Sequence, residues 1–110
     1  MSRKNYNKLI RDRIPEIIMG EGGVPEVSKL SDADYQNALK VKMSEEAKEL
    51  LDAQTKVEVL NELVDIHELI RAIAANYGLS MTELEKKRQE KKQERGGFEK
   101  KLWLKYVDEQ

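Results

Sequence analysis

No cysteine occurs among the 110 residues, so disulfides, thiolate zinc sites and cysteine nucleophiles are excluded. An excess of charge of one sign is also missing: 20 basic and 21 acidic side chains leave a formal net charge of −1. That balance removes any global pull toward nucleic acid or an anionic membrane, and a function based on charge must lie in local clusters. No apolar run approaches the roughly 20 residues of a membrane span. The opening Met1-Ser2-Arg3-Lys4-Asn5-Tyr6-Asn7 lacks the apolar stretch of a signal peptide. The expectation is a cytoplasmic protein with no membrane partner. With no internal repeat and no shift of composition, residues 1–110 read as a single domain. What is present is 39% hydrophobic and 37% charged. That share builds a lean core, and small domains bury little of their surface, so a homo-oligomer, at least a dimer, is expected.

The periodicity predicts helices. Leu9, Ile10, Ile14, Ile17, Ile18 and Met19 precede a stop at Gly20, and Pro15 suits the first turn of a short helix. Gly20, Gly22, Gly23 and Pro25 mark a loop. Ser31 reads as an N-cap, followed by Asp32 and Asp34, for a helix to about Gln54. Thr55 caps a second long helix to Tyr77, with Gly78 at the left-handed position that ends it. Ser80 and Glu83 form a capping box for a third, reaching about Arg95. Beyond Gly96-Gly97 the period changes to two: Phe98, Leu102, Leu104 and Tyr106 alternate with Lys101 and Lys105. The tail therefore reads as a strand that pairs with Glu26–Leu30. The expected fold is an all-α antiparallel helical bundle with a small accessory two-stranded β ribbon. Trp103 and Tyr106 are assigned to packing on that ribbon.

The informative residues are acids in the wrong place. A helix turns about 100° per residue, so Tyr35, Leu39, Met43, Leu50 and Ala53 share one face, with Glu46 in their midst and Glu49 about 60° round. On the next helix Val59, Ile66, Leu69 and Ile73 align, with Glu62 among them and Asp65 again three residues on. That helix has a neighbouring apolar face, Leu60, Leu63, Val64, Ile70 and Ala74, and a helix so widely apolar is buried on more than one side. Four carboxylates thus face one seam. Burying an unpaired carboxylate costs several kcal/mol, and mutual repulsion adds to it. Neither stripe carries enough Lys or Arg to pair them all, although Lys42 flanks the first. A divalent cation resolves the conflict, and an all-oxygen site favours Mg²⁺, with Mn²⁺ as the substitute.

Glu45-Glu46-Ala47-Lys48-Glu49 followed by Glu62-Leu63-Val64-Asp65 resembles the EExxE and ExxD signature of the all-α nucleoside triphosphate pyrophosphohydrolases of the MazG-like group. Tyr6-Asn7-Lys8-Leu9-Ile10-Arg11-Asp12-Arg13-Ile14-Pro15 and Arg95-Gly96-Gly97-Phe98 resemble its phosphoribosyl-ATP pyrophosphohydrolase-like branch. The resemblance implies Mg²⁺-dependent hydrolysis of a nucleoside triphosphate or related nucleotide between the α- and β-phosphates. Glu46, Glu49, Glu62 and Asp65 would be the metal ligands, and Glu45 the catalytic residue that handles the attacking water. Lys8, Arg11, Arg13 and Arg95 are the candidate phosphate-binding cations. A phosphoribosyl-ATP pyrophosphohydrolase proper is an alternative, although the Tyr-His pair usual after the second motif is absent. The lone His67, two residues after Asp65, is read as a packing residue. A non-catalytic helical interaction module holding a structural ion is the other alternative. Nucleic acid is disfavoured: Glu83, Glu85, Glu90 and Glu94 dilute Lys86, Lys87, Arg88, Lys91, Lys92 and Arg95, and that helix has no aromatic to stack on a base.

Overall fold

A computed structural model describes residues 2–109, and all regular structure among them is helical. Helix α1 spans Ile14–Gly20, α2 Asp32–Asp52, α3 Lys56–Asn76 and α4 Met81–Arg95. The caps explain the boundaries. The Ser31 hydroxyl accepts from the Asp34 N–H at the start of α2. Reciprocal capping boxes, Thr55 with Glu58 and Ser80 with Glu83, open α3 and α4. Helix α3 ends where Gly78 takes φ +72°, letting the Leu79 N–H reach back to the Ala74 carbonyl at 2.8 Å.

Only residues 53–55 separate α2 from α3. So short a link makes them an antiparallel hairpin, and this is the main packing in the chain. Its apolar stripes meet as the periodicity predicts. Leu39 and Leu69 are buried, and Tyr35, Met43, Leu50, Ala53, Val59, Ile66 and Ile73 are half-buried. Helix α4 touches α3 alone among the helices. The chain is consequently long and open. Its radius of gyration is 18.9 Å, against about 13 Å for a compact domain of this length.

Two expectations need correction. No strand forms among the described residues. The tail is laid open, with Phe98 97%, Trp103 87% and Leu104 77% exposed. A two-stranded ribbon is marginal unless another surface covers its apolar face, and this chain alone supplies none. The second apolar face of α3 is likewise uncovered at Leu60, Leu63 and Val64, and His67 on the same side is exposed rather than packed.

Candidate metal centre

Glu46 and Glu62 stand equally far from the α2–α3 connector, so antiparallel packing sets them opposite one another. Glu49 lies one turn further along α2. One carboxylate oxygen from each of Glu46, Glu49 and Glu62 falls within 4.8 Å of the other two. Glu46 is buried, at 7% exposure, Glu62 is half-buried and Glu49 is exposed. The cluster therefore opens to solvent on the Glu49 side and closes at Glu46.

The electrostatics of this group are unfavourable as they stand. Oε2 of Glu46 and Oε2 of Glu62 are both buried without a hydrogen-bond donor. Among the described residues the one cation close to Glu46 is Lys42, a turn earlier on α2, with Nζ 3.9 Å from Oε1. That is too far for a strong hydrogen bond. Burial, first, and then hydrogen bonds from a protonated Glu46 to Glu62 and Glu49 push its pKa up to about 7, with the charges of Glu49 and Asp65 adding to the effect. A proton on Glu46 is thus a makeshift donor for its neighbours. A hard divalent cation meets the same need better, because it satisfies several carboxylate oxygens at once. The orphaned oxygens and the all-carboxylate donor set fit Mg²⁺ or Mn²⁺.

Asp65 sits beside this triad rather than in it. It is half-buried, and its Oδ1 accepts from Nη2 of Arg11 at 2.7 Å. Arg11, expected at the phosphates, is in this way brought to the acids from a distant part of the sequence. Lys8 and Glu45 line one cleft on the flank. Asn7, Lys8 and Leu9 lie against Ala38, Val41, Lys42 and Glu45, enclosing a cleft of about 140 Å³. Asn7 turns the chain there with φ +47°, a conformation that Asn tolerates better than most residues. Glu45 is exposed.

The other two cations are placed differently. Nε of Arg13 donates to Glu16 at 2.5 Å, within its own helix end. Arg95 closes α4, which makes no contact with α2. Among the described residues nothing brings either to the carboxylates. Lys42, which the sequence reading notes only as flanking the first stripe, is the cation that the structure brings next to Glu46. Its spacing of four residues before Glu46 was the available signal, since i and i+4 share a helix face.

No family model matches the chain, and no solved structure does. Over 49 residues, 44% of the chain, it is 47% identical to an uncharacterized protein of Mycolicibacterium smegmatis, and it spans about half (50%) of the length of that relative.

Proposed function

We propose that the chain is a Mg²⁺-dependent pyrophosphohydrolase of MazG-like type, acting on a nucleoside triphosphate or a close relative to give a nucleoside monophosphate and pyrophosphate. The observation that carries this reading is the facing of Glu46 and Glu62 with their inner oxygens orphaned, Glu49 completing the triad. When bound, the cation neutralises phosphate oxygens and acidifies water. Glu46, Glu49 and Glu62 would hold it, and Asp65 stands next to them to join. Glu45, outside the triad and open to solvent, takes the proton of the attacking water. Lys8, which lines the same cleft as Glu45, and Arg11 are the two of the four expected phosphate-binding cations that lie in the neighbourhood of the site, and they orient the phosphates. Nucleotide-pool house-cleaning in the cytoplasm suits such an activity.

The oligomer belongs to the same reading. The chain exposes 10699 Å², where a compact monomer of 12.8 kDa exposes about 6300 Å². The excess, roughly 4400 Å² per chain, is more than the roughly 1000–2500 Å² that each partner loses in a permanent homodimer interface. The open faces of α3 and of the tail are the surfaces a second copy would cover.

One observation favours the alternative of a non-catalytic module with a structural ion: Asp65 and Arg11 are engaged with each other. Purified protein incubated with Mg²⁺ and a panel of nucleotides decides. Release of pyrophosphate, abolished by chelator, is expected; Mg²⁺ binding with no hydrolysis of any nucleotide would establish the structural ion instead.

A further inference from the structure

The 2.7 Å pair between Arg11 and Asp65 joins residues 54 positions apart, and it closes the N-terminal segment over the acid seam. Little else holds that segment. Among the described residues no backbone hydrogen bond ties residues 2–10 to the body. Leu9 and Ile10 are only half-buried, and the remaining contact is the edge of the cleft on α2. The pair itself is open to water, with Arg11 53% and Asp65 41% exposed, so its strength is modest, on the order of 1 kcal/mol or less.

Asp65 is therefore held by a weak partner beside a triad whose nearest cation, Lys42, is no closer than 3.9 Å to Glu46. A divalent cation in the triad is a stronger partner for Asp65 than an exposed guanidinium, and once bound it withdraws charge from the Asp65 carboxylate and repels the Arg11 guanidinium. The planar guanidinium of Arg11, once released, is the group best matched to a phosphate.

We propose that Arg11 and Asp65 form an exchangeable latch, in which a divalent cation takes Asp65 from Arg11 and so frees Arg11, with the N-terminal segment that carries it, for the substrate phosphates. This rests on the metal-dependent reading above. It makes Arg11 a positioning residue with two successive partners and imposes an order: cation first, phosphate second. It also makes Arg11 and the cation competitors, so the loss of Arg11 strengthens cation binding while weakening phosphate binding.

The full chain provides its own probe. It has no cysteine, so Asn5→Cys accepts a single nitroxide label on the segment. Mg²⁺ binding is followed by calorimetry, and the label's mobility by electron paramagnetic resonance. The expected result is that the label becomes more mobile over the same Mg²⁺ range in which heat is released. With Asp65→Asn the label is mobile before Mg²⁺ is added and stays so. Arg11→Ala binds Mg²⁺ roughly two- to fivefold more tightly, the range open to an exposed pair, but binds inorganic pyrophosphate in the presence of Mg²⁺ more weakly. Arg11→Lys restores part of the hold on the segment.

If Mg²⁺ binds the labelled protein and the label does not loosen, or if Arg11→Ala weakens Mg²⁺ binding, the latch is wrong and the metal site stands. If calorimetry detects no Mg²⁺ binding to the unaltered chain, the metal-dependent reading fails and the latch fails with it.

Discussion

Two regions of this protein are rich in glutamate, and they behave in opposite ways. On α4, Glu85 is gripped by Arg88, with Nη2 to Oε1 at 2.6 Å, and its pKa is lowered, chiefly by that hydrogen bond. Glu90 lies within reach of Lys87 three residues before it. Both sit on a solvated face. In the α2–α3 seam, Glu46 is buried among other acids and its pKa is raised. Counting acids does not separate the two helices. What separates them is whether the acid is solvated beside a close cation, as Glu85 is with Arg88 at 2.6 Å, or sits in an apolar stripe among other acids, as Glu46 does with Lys42 no nearer than 3.9 Å.

The sharpest test of that contrast replaces Glu62 with Gln. This change removes one charge from the seam and supplies an N–H donor for Glu46. Activity should fall by two orders of magnitude or more, because the metal loses a ligand. The metal-free protein should melt at the same temperature or higher, since repulsion is relieved. Pyrophosphate release, together with thermal melts in chelator and in Mg²⁺, checks both. An Mg²⁺-induced rise in Tm as large as that of the unaltered chain would remove Glu62 from the site.

The second test is pH. The carboxyl of Glu46 has its ordinary value of 4.5 in the unfolded chain and about 7 in the fold, so between those values the folded state holds more protons. Stability of the metal-free protein therefore declines as pH rises from about 4.5 to 7 and levels off above, by up to about 3 kcal/mol from this group. Urea titrations in chelator at pH 5 and pH 8 measure it. With saturating Mg²⁺ the decline should be reduced or reversed, because the cation requires the ionised form.

A smaller effect is expected at Lys42. Lys42→Met removes the one cation near Glu46 and should lower metal-free stability by about 1 kcal/mol at pH 8. The loss should vanish at pH 5, where Glu46 is neutral. Smallest is Arg88→Ala on α4, which should leave Tm and activity essentially unchanged. If it proved as damaging as Lys42→Met, the distinction between the two regions would collapse.

These contrasts mark what was legible in the sequence. Ser31, Thr55, Ser80 and Gly78 announced the helix ends because caps are local chemistry. Glu46 and Glu62 announced themselves because a 3.6-residue period places each inside an apolar stripe. The tail misled for a physical reason: the alternation of Phe98, Leu102, Leu104 and Tyr106 reports a face that wants covering, not where the cover lies. The same holds for Leu60, Leu63 and Val64 on α3. Arg11 could be suspected of a role at the site, but its pairing with Asp65 depends on how residues far apart in sequence come together. Arg95 looked equivalent in sequence and is carried elsewhere by α4.

The brevity of the 53–55 connector bears on how the molecule folds. The acids of the seam lie on two arms of one hairpin, so they meet by closing a short loop, an event faster than any docking of distant segments. Arg11, 54 residues from Asp65, reaches the seam by a far longer closure. We expect repulsion among the carboxylates to be felt at the folding barrier itself. Refolding in chelator should then be faster at pH 5 than at pH 8, and faster in Glu62→Gln than in the unaltered chain at pH 8, while unfolding rates change less. Equal refolding rates at the two pH values would place the conflict after the barrier. On this view a cation held by these acids would hasten the step in which the chain first becomes a helical pair.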